Sequence, residues 1–573
     1  MGATRPHGDG QRTGVRARLI AATQTFAGAA IMITAVTVLS RLLGFGRWLV
    51  QAKELGTGGV AASYAAANVL PNVLFEVAAG GALAGAVVPL LAGPLLRKAR
   101  VEVNDIASAL LTWAVVALVP LALVLAVFAR PIVGLIPDVG TGAEADVAAY
   151  FLMIFALQVP LYGVGVVLSG VLQANRRFFW PAAAPMFSSI VVIGAYIVFG
   201  RLADGHQGQP DQLSATALGW LAWGTTAGVA AMSLPLFIPA LRTGVRLRPT
   251  LTFPTGVGTR ARRLAFAGIG ALVAQQISVL AVLYAAHKFG DSATFNIYQY
   301  SQAVYVLPYA VLAVPLATSA FPRLAARADA GDTPGFARLS AMSTRAVLAV
   351  SGAGAAALIA VAPAVESFFG FTKGGVEGMA TSIAWSAPGL VGFALLFHLS
   401  RSLYALDGGR SAVIGAAAGW AVVSVLAVVV PAVLTGGTKN GTITLAAIGA
   451  ANSAGMCVAG IVLLVALRRR AGAAAIGGVG RTAVVLAVGG AAGAALGHVL
   501  CTVALPGRAS TVVAFAIGVA AALVALIVVA AVLAAGDRTL LGLVRRGGAR
   551  EKVADPAQPK ITTPEDEADG RGR

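Results

Sequence analysis

The sequence predicts an all-α, polytopic membrane protein with fourteen transmembrane helices. Three observations predict this class: the composition, a series of long apolar segments, and the positions of the basic residues. Of the 573 residues, 58% are hydrophobic and 11% are charged, which is about half the charged fraction of a soluble domain. The net charge is +19, and the Lys and Arg residues that produce it lie in short clusters between apolar segments. Such clusters are typical of membrane topology signals, and they argue against nucleic-acid binding.

Fourteen apolar segments reach the length of about 20 residues that a helix needs to cross a bilayer. We number them as spans 1 to 14 in chain order. Their predicted limits are 26–50, 62–95, 105–129, 146–173, 180–202, 214–241, 261–287, 293–325, 337–364, 379–405, 411–435, 442–467, 481–504 and 510–535.

The basic residues alternate from one connection to the next. The odd-numbered connections carry one each, whereas the N-terminal arm, the even-numbered connections and the C-terminal tail carry clusters such as 97–100, 242–263 and 468–470. Because cytoplasmic loops are rich in Lys and Arg, both termini are predicted to be cytoplasmic. The odd-numbered set is Lys53, Arg130, Arg201, Lys288, Lys373, Lys439 and Arg508.

An internal repeat divides the spans into two lobes. The pattern of Gly56 and Val-Leu-Pro at 69–71 recurs as Gly290 and Val-Leu-Pro at 306–308, and residues 160–176 match 388–408 more loosely. An even number of spans separates the copies, so they have the same orientation. We therefore predict a parallel pseudo-two-fold repeat of two six-helix lobes plus two C-terminal helices, with a cavity between the lobes and rocking alternating access.

The predicted domain limits follow from this repeat. They are a basic cytoplasmic arm at 1–25, an N-lobe at 26–241, a C-lobe at 242–467, spans 13 and 14 at 468–536, and a disordered cytoplasmic tail at 537–573. The apolar run of the N-terminus is too long for a signal peptide, so it is interpreted as a retained first span.

Two arginines in span 1 are the first candidates for a binding site. Arg41 and Arg47 lie in or just beyond an apolar run, where charge costs about 2.5 to 3.5 kcal/mol and usually marks a pathway or an anchor. Gly44 and Gly46 lie between them, and a bend or a close helix approach there would bring both guanidinium groups to one cavity. Alternatively, residues 19–39 form the span and Arg41 snorkels at the interface.

Span 2 adds Asn72 and Glu76 to the candidate site. Glu76 is interpreted as a buried carboxylate paired with Arg41 or Arg47, with proton coupling as the alternative. Asn72 supplies an amide that is costly to expose to lipid.

Spans 8 and 10 add three further candidates. Gln302 is a polar residue expected at the lobe interface. His398 and Arg401, three residues apart, share one helix face and are secondary candidates. Arg401 lies near the predicted cytoplasmic end, where snorkelling is the alternative, and a packed polar residue is the alternative for His398.

Pro71 and Pro308 are predicted to kink spans 2 and 8, which frees backbone carbonyls for a wet cavity. No phosphate-binding loop, catalytic set or metal-ligand spacing is recognisable, and neither Cys457 nor Cys501 belongs to a disulfide framework. We therefore predict a transporter that hydrolyses no ATP and has no metal or other cofactor, rather than an enzyme. An electropositive cavity open to the membrane suits a phosphate-containing anionic head group whose lipid tail stays in the bilayer.

The sequence resembles the MurJ/MviN family of lipid II flippases, in the multidrug/oligosaccharidyl-lipid/polysaccharide exporter superfamily. The resemblance covers about residues 26–535 and is faint in spans 13 and 14. The motifs that carry it are Ser40-Arg-Leu-Leu-Gly-Phe-Gly-Arg47, Gly56, Leu70-Pro-Asn72, Gly81-Ala82, Val88-Pro89, Leu307-Pro308 and Phe321-Pro-Arg-Leu324.

The resemblance implies transport of an undecaprenyl-pyrophosphate-linked peptidoglycan precursor, lipid II, from the inner to the outer leaflet of a bacterial plasma membrane. It implies a role in cell-wall synthesis and cell shape, and it places the family's two span-1 arginines at Arg41 and Arg47. Membrane lipids and cell-wall synthesis proteins are the other expected partners.

The chain departs from the family pattern at several charged positions. Many members carry Asp at the positions of Trp48 and Ser63, and Arg at the position of Phe75. They carry an Asp-Arg pair where this chain has Gln302-Ala303. Head-group contacts must therefore come partly from elsewhere. Span 7 lacks the carboxylate that some members use for sodium, so membrane potential or a proton is the expected coupling. The alternatives are a flippase or exporter of another polyprenyl-linked glycan or amphipathic molecule, and a membrane scaffold that does not transport.

Overall fold

The computed structural model describes residues 26–77, 84–139, 142–267, 269–507 and 509–537. The predicted N-terminal arm, the Gly81-Ala82 motif and the tail beyond Asp537 lie outside these ranges. Throughout the described residues the regular secondary structure is helical, as the composition predicts.

The N-lobe contains spans 1 to 6, and a short amphipathic helix, α9, follows it. Spans 2 and 4 each consist of two helices. The helices are α1 (Phe26–Glu54), α2 (Val60–Leu74), α3 (Ala84–Leu96), α4 (Arg100–Val127), α5 (Gly142–Phe155), α6 (Gln158–Ala174), α7 (Phe179–Leu202), α8 (Ala215–Ser233) and α9 (Val257–Ala267).

The C-lobe contains spans 7 to 12, and spans 13 and 14 complete the chain. Spans 8 and 10 each consist of two helices. The helices are α10 (Ile269–Phe289), α11 (Thr294–Pro308), α12 (Val314–Asp329), α13 (Thr333–Phe368), α14 (Met379–Ser386), α15 (Gly389–Tyr404), α16 (Gly409–Thr435), α17 (Gly441–Ala471), α18 (Val479–Ala504) and α19 (Thr511–Gly536).

The helix lengths are compatible with fourteen spans. Among the described residues, twelve helical segments are long and apolar enough to cross a membrane, and α14 with α15, bent by 46°, forms a thirteenth. Helix α1 is outside that set, but its 29 residues extend about 43 Å. The predicted span 7, 261–287, covers the end of α9 (Val257–Ala267) and most of α10 (Ile269–Phe289), and residue 268 between them lies outside the described ranges. Three arginines in α9 make it amphipathic rather than apolar.

The structure supports the predicted repeat at two places. In spans 2 and 8, Pro71 and Pro308 are followed by π-helical turns at 75–77 and Tyr309–Ala313, as expected where a proline disturbs the hydrogen-bond ladder. Spans 4 and 10 are both interrupted close to a proline, at 156–157 and 387–388. The matched sequence patterns therefore occupy matched positions in the two lobes.

The connections separate into two faces, which we call the odd face and the even face after the numbering of the connections. On the odd face, Asn440 N donates to Phe289 O at 2.8 Å and Val60 N donates to Gln207 O at 3.0 Å. On the even face, Arg470 donates to Leu406 O at 3.1 Å. Connections of equal parity meet, as the predicted topology requires.

The hydrophobic cores show where the lobes touch. Two clusters toward the odd face contain residues of both lobes: Phe151 with Phe295 in one, and Ala52 with Tyr300 in the other. Toward the even face, one cluster is built from the N-lobe and α9 alone, and another from the C-lobe with α18 and α19. The lobes therefore share a core at the odd face and have separate cores at the even face.

Candidate functional site

Arg41 and Arg47 both lie well inside helix α1. The helix runs without a break from Phe26 to Glu54, so Arg41 is about 20 Å from its odd-face end. Arg41 is exposed and Arg47 is half-buried. The helix therefore continues well beyond Arg41 toward the odd face, and the alternative in which residues 19–39 form the span stays a prediction.

Gly44 and Gly46 have a different role from the one predicted. Helix α1 continues through both residues, and a Cβ atom built on either glycine would meet nothing within 4 Å. No other helix of the described residues comes this close to either glycine. The two glycines instead leave open space beside the arginines.

Arg47 faces a group of N-lobe tyrosines. Its guanidinium lies 5.8 Å from the Trp48 ring centroid, and it is within electrostatic range of Tyr64, Tyr162 and Tyr196. Two of these tyrosines, Tyr64 and Tyr196, are buried. Arg47 therefore belongs to the N-lobe wall of the site.

Span 2 contributes the next part of that wall. The Tyr162 hydroxyl donates to Asn72 Oδ1 at 3.2 Å, and the rings of Phe75 and Tyr162 are 4.3 Å apart. Asn72 is half-buried. The π-helical turn at 75–77 follows Pro71 within this span.

The predicted ion pair of Glu76 is wrong. Glu76 is exposed rather than buried, and none of the ion pairs found in the described part of the chain includes it. Glu76 lies in the π-helical turn at 75–77. Glu76 is within electrostatic range of Tyr162 and remains at the edge of the site.

Arg41 approaches the C-lobe. Tyr309, the first residue of the π-helical turn in span 8, is within electrostatic range of both Arg41 and Arg401. Tyr309 packs on Phe393 and Phe397, with ring centroids 4.6 and 5.6 Å away. Arg41 and Arg401 are therefore both near enough to Tyr309 to interact with it electrostatically.

Arg401 does not snorkel toward the even face. Its Nη1 donates to Phe397 O at 3.2 Å, and its guanidinium carbon lies 3.5 Å from the Phe397 ring centroid. Phe397 is one turn closer to the odd face, so the side chain folds back toward the membrane interior. A cation–π contact of this kind stabilises a partly desolvated guanidinium.

His398 and Gln302 occupy different environments. His398 is fully buried, and its Nε2 lies 3.1 Å from Ser343 Oγ between α13 and α15. It is a packed polar residue, away from the interlobe space. Gln302 is half-buried, and in the described structure its Nε2 is buried without a hydrogen-bond partner.

Hydrogen bonds close the two lobes together at the odd face. On the C-lobe side, Asn296 Nδ2 donates to Thr57 O at 2.7 Å and the Tyr300 hydroxyl donates to Gly56 O at 2.6 Å. Thr57 N donates to Lys373 O at 3.2 Å. We call Gly56, Thr57, Asn296, Tyr300 and Lys373 the odd-face latch.

An ion pair adds to this closure. Lys439, between spans 11 and 12, pairs with Asp138, between spans 3 and 4. Both side chains are partly exposed, so the pair contributes less than the buried latch. Together with the shared cores, these contacts place the closed end of the interlobe space at the odd face.

A separate apolar pocket lies between the C-lobe and span 13. Its volume is about 630 Å³, and its lining is apolar apart from the Cys457 thiol. Helices α13, α15, α17 and α18 supply most of the wall. Representative lining residues are Leu348, Gly352, Leu395, Leu464, Leu486 and Ala494.

Several residues of the site were not predicted. Tyr162 and Tyr309 were missed because an aromatic residue in an apolar span carries no signal of its own. Thr57 and Tyr300 were missed because their bonds use backbone groups of the other lobe. The recurrence of Gly56 as Gly290 was the available signal for the latch, since it marks the turn that precedes Thr57.

Comparison with known proteins agrees with this architecture. The profile of the family described as "Lipid II flippase MurJ" matches residues 51–526. A probable lipid II flippase MurJ of Rhizobium tropici is 25% identical over 395 residues, which cover 66% of this chain and 71% of the relative. The lipid II flippase MurJ of Burkholderia cenocepacia is 27% identical over 402 residues, which cover 66% of this chain and 73% of the relative.

Solved structures share the fold. A lipid II flippase MurJ in an inward closed conformation superposes with a TM-score of 0.65 at 18% identity, covering 86% of this chain and 98% of that one. An inward-facing MATE family transporter of the MOP superfamily superposes with a TM-score of 0.61 at 14% identity. The match covers 78% of this chain and 98% of that one. The matched family is one of transporters, which confirms the prediction that the chain is not an enzyme. With the family profile matched over most of its length, this chain belongs to the MurJ lipid II flippase family.

Proposed function

We propose that this protein is a lipid II flippase that moves a polyprenyl-diphosphate-linked peptidoglycan precursor from the inner to the outer leaflet. It works by alternating access and hydrolyses no ATP. The observation that carries the proposal is the arrangement of the two lobes. They are latched at the odd face by bonds such as that of Tyr300 to Gly56, and their hydrophobic cores are separate toward the even face.

We propose that the even face is cytoplasmic, in a bacterial plasma membrane, with both termini on that side. The support is the concentration of Lys and Arg in the even-numbered connections. With this orientation the described state is closed to the outside, and the exposed Arg41 is accessible from the cytoplasmic side. It is the state that would receive a precursor made in the cytoplasm.

The diphosphate of the substrate is the group that the arginines recognise. A guanidinium offers a planar fork of donors that matches phosphate oxygens in a bidentate way. Arg41 and Arg47 supply two such forks from the N-lobe, and Arg401 supplies one from the C-lobe. Asn72, Glu76 and Gln302 border the same space and are placed to bind the neutral sugar and peptide groups.

The lipid tail has an apolar surface available. The pocket of about 630 Å³ beside span 13 is a suitable surface for isoprene units while the head group crosses between the lobes. Membrane potential drives the net movement, because a negative head group gains about 2.3 kcal/mol per charge for each 100 mV when it leaves a negative interior. Titration of the exposed Glu76 is the alternative coupling.

Depletion in the native host tests the proposal. Cells that lose the protein should accumulate lipid II in the cytoplasmic leaflet, measured by labelling the outward-facing precursor. Re-expression should restore the outward fraction, and re-expression of Arg41→Ala should not. Cytoplasmic lipid II that fails to accumulate would contradict the proposal.

A second polyprenyl-linked glycan is the best alternative substrate. Gln302, with its unpartnered amide nitrogen, stands at a position where many family members carry an acidic residue of an Asp-Arg pair, so the head-group contacts differ. Competition of purified precursors for binding would separate the substrates. A scaffold that only binds cell-wall synthesis proteins should tolerate neutral replacement of both Arg41 and Arg47.

A further inference from the structure

The segment between the two lobes lies along a helix of the N-lobe. Residues 243–252, which we call the linker segment, are extended beside the even-face end of α4. Three backbone N–H groups of alternate linker residues donate to three α4 side chains. These bonds run from Arg246 to Asn104 Oδ1 at 2.9 Å, from Arg248 to Ser108 Oγ at 3.0 Å, and from Thr250 to Thr112 Oγ1 at 3.1 Å.

The regular spacing of the bonds has a geometric cause. The three acceptors are four residues apart on α4, which corresponds to a rise of about 6.0 Å. Their donors are two residues apart in an extended chain, which corresponds to about 6.6 Å. The helix and the linker segment therefore stay in register over three successive bonds.

Both ends of the linker segment are also fastened to N-lobe helices. Arg100 donates to Thr243 O at 3.3 Å at one end, and the Trp113 indole N–H donates to Leu251 O at 2.9 Å at the other. Thr243 follows span 6 directly. The segment is therefore held at five points along α4.

Apolar side chains reinforce this attachment. Val245 is buried in the N-lobe core toward the even face, and Leu247 and Phe253 pack against the same cluster. Arg246 and Arg248 alternate with them and are exposed. Separating the segment from α4 would expose this apolar surface and leave side-chain acceptors without donors.

Helix α9 is attached to the same lobe. Ala261 is part of the N-lobe core, and Val257 and Leu264 pack against it. Gly256, with φ +79°, makes the turn that returns α9 onto α3. The N-lobe therefore continues, as a packed unit, beyond the end of its sixth span.

We infer that the linker segment and α9 move with the N-lobe as one rigid body when the lobes change their angle. The inference rests on the rocking motion of the proposed function. It assigns residues 243–264 to the N-lobe instead of the C-lobe. The linker segment is then fixed along α4 and does not act as a flexible hinge between the lobes.

Amide exchange tests the attachment without reference to transport. The N–H groups of Arg246, Arg248 and Thr250 should exchange at least 100-fold more slowly than in an unstructured peptide. Ser108→Ala should accelerate exchange at Arg248 about fivefold, whereas Ser319→Ala, at an exposed serine of α12, should not. Exchange of the linker amides at the unstructured rate would overturn the inference.

Cross-linking tests whether the segment stays attached during transport. Asp105 and Arg246 line one even-face cavity of about 640 Å³. A D105C/R246C pair, in a background with Cys457 and Cys501 replaced by Ala, accepts a short dithiol-specific cross-linker. The cross-linked protein should transport within twofold of the uncross-linked protein, and loss of transport on cross-linking would mean that the linker detaches.

A matched pair across the lobes separates this inference from the proposed function. D138C/K439C, cross-linked in the same background, joins the lobes at the odd face and should abolish transport. If that cross-link leaves transport intact, alternating access is contradicted. The amide exchange result then still decides whether the linker belongs to the N-lobe.

Discussion

At the scale of single residues, charge between the lobes governs the proposed chemistry. Arg41 is exposed in the middle of α1 with open space beside Gly44 and Gly46. Its charge is not needed for packing, so it can be removed without damaging a core. The same holds for few other cations in the described spans, which makes Arg41 the most direct test of substrate recognition.

Arg41→Ala should reduce lipid II transport by at least tenfold while the protein is expressed and inserted normally. The reason is the loss of a charge-assisted contact of about 1.5 to 3 kcal/mol. Complementation of a depleted strain, with protein level measured in membranes, checks this. Arg41→Lys should restore little activity if bidentate phosphate binding matters, and much of the activity if only charge matters. Full complementation by Arg41→Ala would contradict the assignment of Arg41 to the substrate site.

Arg401→Gln should weaken binding of the diphosphate-linked precursor about tenfold, because the C-lobe then lacks the cation that folds back over Phe397. Binding to the purified protein is the measurement. Arg338→Gln is the matched control, since Arg338 is exposed near the even face of the same lobe and should bind normally. Equal effects of the two substitutions would place Arg401 outside the site.

At the scale of helices, spans 13 and 14 are attached to the C-lobe by a buried polar cluster. Arg345 Nη2 donates to both carboxylate oxygens of Asp537 at 2.6 and 2.8 Å, and Thr482 Oγ1 donates to Asp537 Oδ2 at 2.7 Å. Asp537 is fully buried, although the sequence assigned it to a disordered tail. The cluster ties α13, α18 and the end of α19 together.

Asp537→Ala should destabilise the protein by about 3 to 5 kcal/mol, because it leaves the Arg345 charge buried without this carboxylate. Thermal unfolding in detergent measures the loss. Glu102→Gln, which breaks the exposed pair with Arg97, should cost less than about 1 kcal/mol. The double variant R345M/D537L should recover most of the stability, and failure to recover would argue against a charge-based role.

At the scale of the whole molecule, the latch sets the balance between the two access states. The closed odd face combines buried hydrogen bonds from Asn296 and Tyr300 with two hydrophobic cores shared by the lobes. Toward the even face the cores are separate. Opening of the odd face must therefore break the latch and expose part of the shared core.

Tyr300→Phe should shift the equilibrium about fivefold toward the state that is open at the odd face. The substitution removes the hydroxyl that bonds Gly56 O and keeps the ring, so about 1 kcal/mol of closure is lost. Distances between spin labels at positions 138 and 439 report the two populations. Tyr284→Phe, at an exposed tyrosine, is the control, and an unchanged distribution in Tyr300→Phe would remove the latch from the mechanism.

Much of the architecture was predictable because the bilayer imposes strict rules on the chain. Apolar segments of sufficient length, basic clusters of alternating parity and the paired prolines of spans 2 and 8 require no knowledge of side-chain contacts. The attachment of α9 to the N-lobe was not predictable in this way. Ala261, Val257 and Leu264 pack in or against the N-lobe core, although the sequence assigned them to the C-lobe.

The sequence by itself determined the helical class, the parallel lobes and the position of Arg41 and Arg47 in the first span, since these depend on the composition and period of local segments. The tertiary structure decided what no local pattern encodes. It left Glu76 exposed without an ion pair to the arginines, folded Arg401 back over Phe397, fastened the linker to α4 and closed the odd face. Each of these depends on contacts between residues far apart in the chain, and such contacts exist only once the helices have packed.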